Sequence, residues 1–176
     1  IVAPIDGTNN FVAGNRIWCC SVTAAEDGEA VAAVNEFPAL GDCFAAGDDG
    51  PTRNGDPISV SERERSETFT INPIFGLSEA NRRKLSEYVS TIAAEFGDAR
   101  RFGSSQFALS SVAAGELDAA VSNMSLSPWD TVGGVHLVRE AGGTVTDLHG
   151  ERWTPGADGI IASNGNAHDD LVAAFE

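Results

Sequence analysis

The apolar residues of the first part of the chain fall in short runs, Cys19 to Ala24, Ala30 to Asn35 and Cys43 to Ala46, which predict β-strands. Between the first two runs stands Glu26-Asp27-Gly28-Glu29, and an Asp-Gly pair between alternating apolar stretches predicts a hairpin turn. Pro38 to Asp42 separates the second run from the third. Ahead of all three, the apolar Ile1 to Pro4 breaks at Asp6-Gly7, the pattern of a strand entering a turn or loop. An acidic, Gly/Pro-rich connection from Gly47 to Pro57 precedes a strand expected at Thr68 to Ile71.

The period changes at Gly76. Leu85, Tyr88, Val89, Ile92, Ala93 and Phe96 recur at helical spacing, with Ser78 placed as an N-cap and Gly97 as a stop. A shorter helix is expected from Gln106 to Ala114 and a strand at Asp118 to Val121. Pro128-Trp129-Asp130 opens a further helix that Gly142-Gly143 closes. Strands at Thr144 to Asp147 and Ile160 to Ala162 and a last helix from His168 complete the pattern. A hairpin-rich first half predicts an antiparallel sheet, and alternating strands and helices in the second predict α/β layering. We expect one domain, with residues 1–75 forming the sheet half and residues 76–176 the α/β half; no internal repeat or low-complexity segment interrupts it.

Composition narrows the partners. The chain has 176 residues, 42% of them hydrophobic, enough for one sizeable core. Its 26 acidic against 11 basic residues give a net charge of −15, with Lys84 the single lysine, and such a surface repels nucleic acid. Scattered acidic pairs predict a solvated shell and a salt-adapted source, an ordinary acidic cytosolic protein being the alternative. No run is long and apolar enough for a membrane span and no signal sequence is visible, so a cytoplasmic location is expected. Since the chain opens on Ile1 in mid-strand, the natural protein is expected to begin further upstream. Cys19, Cys20 and Cys43 have neither disulfide-framework nor zinc spacing and read as buried apolar residues in a reducing compartment.

Two stretches carry candidate chemistry. Pro4-Ile5-Asp6-Gly7-Thr8-Asn9-Asn10-Phe11 sets a carboxylate, a glycine and a hydroxyl side by side after a strand. Such a loop can hold a hard cation on Asp6 and phosphate oxygens on the Gly7 and Thr8 N–H groups; it can equally be a tight Asp-Gly turn. In Pro128-Trp129-Asp130-Thr131-Val132-Gly133-Gly134, Asp130 reads as a helix N-cap and also as a carboxylate that could ligate a metal.

Together these stretches resemble the two signature motifs of the inositol monophosphatase family, P-I-D-G-T-x-N-F and W-D-x-x-x-G-x-x-L-x-x-E-A-G-G. Arg53-Asn54-Gly55 with Ile58-Ser59-Val60-Ser61, and Gly103-Ser104-Ser105 ahead of Val112-Ala113 and Asp118, are similar to intervening family segments. The resemblance spans the chain and implies a layered αβαβα sandwich and Mg²⁺-dependent hydrolysis of a small phosphorylated polyol or sugar. By that resemblance Asp6, the Ile5 carbonyl and Asp130 are metal ligands, and Gly7 and Thr8 contact phosphate. Asp6 and the Thr8 hydroxyl help activate water, while Gly103, Ser105 and Asn123, with Asp130, contact substrate. A possible homodimer is implied as well.

The chain also departs from that pattern. The family's leading motif Asp is Ala3 here, and a methyl cannot ligate Mg²⁺. A further Glu ligand and an acidic partner for the motif threonine come, in the family, from a region upstream of this motif. The expectation is therefore an inactive or very weak chain of a phosphatase family, marginally stable in dilute buffer. The alternatives are a pseudoenzyme serving as a binding or regulatory subunit, and a generic acidic α/β domain. Inositol monophosphate, fructose 1,6-bisphosphate and a 3′-phosphonucleotide all remain open as substrates.

Overall fold

The computed structural model describes residues 1–76 and 78–175, apart from the side chains of Ala80 and Arg82. The early apolar runs form a six-stranded antiparallel sheet in sequential order: β1 (Val2–Asp6), β2 (Cys19–Glu26), β3 (Glu29–Phe37), β4 (Asp42–Ala46), β5 (Thr52–Arg53) and β6 (Asp56–Pro57). Asp27 and Gly28 both have positive φ, 51° and 87°, the conformation a two-residue hairpin with native strand twist requires. Asn54 and Gly55 repeat it at 53° and 87°, so the stretch read as a connection holds a second tight hairpin, β5–β6. Residues after the Asp6-Gly7 break form a five-residue helix, α1 (Thr8–Val12), where a loop was expected.

A second sheet, ordered β10-β11-β9-β7-β8, is built from β7 (Thr70–Pro73), β8 (Asp98–Ala99), β9 (Ala119–Ser122), β10 (Thr144–Thr146) and β11 (Ile160–Ser163). Strand β7 runs parallel to β8 and β9, whereas β9, β11 and β10 are antiparallel. The helices are α2 (Glu79–Glu95), α3 (Ser105–Ala113), α4 (Pro128–Glu140) and α5 (His168–Phe175). The Ser78 hydroxyl caps α2 by accepting from Asn81 N at 3.2 Å, as its position predicts.

Strand periodicity sorts the core into two bodies. Ala120, Ile160 and Ala162 point toward α3 and α4 and pack with Leu109, Val112, Leu137 and Phe37. Their neighbours Ala119, Val121 and Ile161 point the other way, onto Tyr88 and Ile92 of α2 and Leu171 and Phe175 of α5. The described residues thus stack as first sheet, α3/α4, second sheet, α2/α5, the layered α/β class expected.

The first sheet has an unusual polarity. On β2 and β3, Ser21, Thr23 and Asn35 are buried against the helices, while Val22 and Val34 face solvent. Val2, Val22 and Val34 lie opposite one another across β1, β2 and β3, each more than 40% exposed, and β1 forms an edge of the sheet. Cys20 is also exposed here, so of the three cysteines only Cys19 is fully buried, which corrects the reading of all three as core residues.

A buried histidine joins α5 to the second sheet. Thr146 donates its hydroxyl to Asp147 O at 2.8 Å, so its oxygen accepts from His168 Nε2 at 2.9 Å. The Ser163 hydroxyl then donates to Nδ1 at 2.7 Å. Burial holds this imidazole below its ordinary value of 6.5, opposed by the Asp169 charge. The unfolded chain therefore binds the proton first as pH falls, and stability drops from about pH 6.5 downward until the folded-state histidine also titrates. Urea midpoints measured at pH 7.5 and 5.5 are expected to differ more for the native chain than for His168→Gln; equal differences would exclude this contribution.

Candidate active site

The site assembles where β1 ends. Gly7 takes φ +82°, and a Cβ there would meet Ile17 O at 2.8 Å and Ser104 Cβ at 3.2 Å, so only glycine fits. Asn10 ties the following turn down, donating to Ile17 O and to Phe102 O, both at 2.7 Å. These bonds bring the first motif against the start of α3. The Ser104 hydroxyl donates to Asp6 Oδ2, and Gln106 N–H donates to the same oxygen at 3.0 Å.

Gln106 links this strand end to α4. Its amide donates to Trp129 O at 3.0 Å, and its oxygen accepts from Gly134 N at 2.8 Å and from Asn35 Nδ2 at 3.0 Å. One buried residue, its side chain bonded to α4 and its backbone N–H to Asp6, thereby fixes the helix that carries Asp130 relative to the strand that carries Asp6. Asp130 is the third residue of α4, with Ser127 as the N-cap residue, which corrects the reading of Asp130 as an N-cap.

A cleft of about 380 Å³ opens between these elements, lined by Asp6, Gly7, Thr8, Gly103, Ser105 and Asp130 among others. Burial lifts the Asp6 carboxyl to about 6; the Ser104 and Gln106 donors pull it down and the Asp130 charge adds to the rise. Burial raises Asp130 as well. Of the residues expected from sequence, Asn123 and Ile5 do not line the cleft. Asn123 lies just past β9 with Oδ1 buried and unpartnered, and the Ile5 carbonyl accepts from the Thr8 hydroxyl at 3.3 Å. Arg101, which sequence reasoning passed over, lines the cleft and donates to Phe75 O at 3.1 Å.

Among the described residues no group of three or more His, Cys, Asp or Glu side chains is gathered as a metal cage. Two partly buried carboxylates on one polar cleft, with the Asp130 charge adding to the rise of Asp6, do fit one Mg²⁺, an ion bound through one or two carboxylates, waters and substrate phosphate. They do not supply the ligands for two. Ala3, where a third carboxylate would come from, is 2% exposed on the same buried side of β1 as Asp6.

A layered α/β fold thus carries a cleft lined by two carboxylates beside a Gly-Thr turn. The sequence model of the inositol monophosphatase family matches residues 1–176, and the chain belongs to that family. It is 32% identical over 173 residues to the fructose-1,6-bisphosphatase/inositol-1-monophosphatase of Thermotoga maritima, covering 98% of this chain and 65% of that protein. It is 30% identical over 180 residues to the inositol-1-monophosphatase ImpA of Mycolicibacterium smegmatis, covering 98% and 64%. The chain therefore spans about two thirds of the length of these curated relatives. The solved inositol monophosphatase of Anabaena superposes with a TM-score of 0.91 at 30% identity, covering 98% of this chain and 69% of that one. No helix among the described residues is long and apolar enough to cross a membrane.

Proposed function

We propose that the protein is built for Mg²⁺-assisted hydrolysis of a small phosphate monoester, and that Ala3 leaves it with weakened metal binding and little activity. The observation that carries this reading is the convergence of Asp6 and Asp130, from motifs more than a hundred residues apart, on one polar cleft. Asp6 and Asp130 would hold the ion, which when bound neutralises phosphate charge and lowers the pKa of water. Gly7, barred by its φ and its neighbours from carrying a side chain, lets a phosphate approach the backbone, and Thr8 places a hydroxyl at the same edge. Ser105 and Gly103 offer polar contacts to a polyol body.

Arg101 supports a substrate with a second anionic group. Among the described residues it is the one cation lining the cleft, and no carboxylate pairs with it, whereas neighbouring Arg100 is held by Asp98 at 2.5 Å. A bisphosphate would reach Mg²⁺ with one group and the guanidinium with the other. The buried methyl of Ala3 favours a second reading, a pseudoenzyme that binds such esters without turning them over.

Thermal unfolding with and without Mg²⁺ tests the reading. Mg²⁺ is expected to raise the melting temperature, fructose 1,6-bisphosphate to raise it further than inositol 1-phosphate, and Arg101→Ala to erase the difference between the esters. Asp6→Asn should abolish every shift. Unchanged shifts in folded Asp6→Asn would rule out the cleft as the binding site.

A further inference from the structure

On the opposite side of α4 from the cleft lies a second groove of about 380 Å³. Its floor is one helical stripe, Val132, Val135, His136 and Arg139, and its rims are the β2–β3 hairpin at Gly28 to Ala30 and the segment Arg152 to Pro155. Three observations single it out. Arg139 is half-buried, spends one donor on Trp153 O at 2.9 Å, and has no carboxylate of the described residues within ion-pairing distance. A second guanidinium, Arg152, stands close enough to repel it and is held at the exposed rim by Glu29 at 2.9 Å, whose charge partly offsets that repulsion at Arg139. Beside them His136 keeps Nε2 buried without a partner.

A partly desolvated cation with free donors, beside a second guanidinium, can complete its bonding with an anionic ligand. Burial keeps the His136 imidazole below its ordinary value, so it is neutral at pH 7 and adds no further repulsion between the cations. In a chain of net charge −15, two of eleven basic residues converge on this one groove; the carboxylates at its rim, Glu29 and Glu140, are exposed. A guanidinium fork matches the oxygens of a phosphate group, and the valine and proline walls leave room for a small organic body behind it.

We propose that this groove binds a phosphate group, free or carried by a small organic molecule, on Arg139 and Arg152, beside the His136 ring. The site is separate from the Asp6 cleft, needs no metal, and is assigned on geometry that the proposed phosphatase reading does not use.

Calorimetric titration of the full chain in EDTA at pH 7.5 and low salt, with inorganic phosphate and with phenyl phosphate as probes, tests the proposal. Both are expected to bind. A tighter fit of phenyl phosphate would identify an esterified ligand, and equal affinities a free ion. Arg139→Gln should weaken binding by about tenfold or more, while Asp6→Asn, which disables the cleft, should leave it unchanged. In the native chain, ¹⁵N-labelled His136 should shift its side-chain resonance as phosphate is added. A His136 resonance that stays still, binding lost in Asp6→Asn, or binding that survives Arg139→Gln would overturn the proposal.

Discussion

Gly134→Ala is expected to destabilise the fold by about 3 kcal/mol or more, the upper range for overpacking. A Cβ at this position would stand 2.4 Å from Leu109 Cβ, 2.8 Å from Leu109 Cδ1 and 2.9 Å from Gln106 Oε1. Leu109 is fully buried between the two sheets and cannot swing aside, so α3 and α4 must separate instead. Separation breaks the bond from Gly134 N to Gln106 and loosens the bond from Gln106 to Trp129 O, the two contacts that set Asp130 against Asp6. Loss of stability and loss of Mg²⁺ response should therefore appear together. Denaturant midpoints and metal titration of the same variant check this; a variant as stable as the native chain would mean that the helices are not in the contact described.

The second large effect is expected from Ala3→Asp. The side chain at this position is buried on the side of β1 that also carries Asp6. A carboxylate added there without a cation costs stability, because a buried charge needs a partner. In EDTA the variant should melt below the native chain. With Mg²⁺ the order should reverse, since the new oxygen joins Asp6 and Asp130, and metal affinity should rise by at least the roughly 10- to 100-fold typical of carboxylates that support a metal site. Phosphate release from inositol 1-phosphate, expected near background in the native chain, should rise with it. If a folded variant gains neither affinity nor activity, Ala3 is not the decisive departure and the pseudoenzyme reading gains weight.

Much of the fold was legible because its signals are local. Asp27-Gly28 announces its own hairpin, and the spacing from Leu85 to Phe96 announces α2. What escaped was too short to show a period: α1 has five residues, and β5 and β6 have two each. The Asn54-Gly55 turn signal stands in the sequence, but inside an acidic Gly/Pro-rich connection with no alternating apolar runs beside it to mark a hairpin. Of the residues named from the signature motifs, Asp6, Gly7, Thr8 and Asp130 line the cleft and Ile5 does not. Gln106 could not be named in advance, because a glutamine inside a predicted helix says nothing of Asn35, Trp129 and Gly134, which arrive from distant parts of the chain. Arg100 and Arg101 look alike in sequence, yet only the fold gives one of them an aspartate and leaves the other facing the cleft.

The inverted polarity of β2 bears on how the chain folds. In most sheets a strand that slips by one residue exposes its apolar set, and burial rejects the error. Here a slip of β2 would turn Val22 and Ala24 inward and Ser21 and Thr23 outward, so hydrophobic collapse alone rewards the wrong alignment. Two things oppose it. The Asp27-Gly28 turn acts early, because it is local. The contacts of Asn35 with Gln106 and Ser110 act late, since the partners lie 71 and 75 residues further along the chain. The side-chain contacts that favour the native strand alignment over the slipped one are therefore completed only when α3 docks, and an Asn35→Ala variant is expected to fold more slowly than the native chain in stopped-flow refolding.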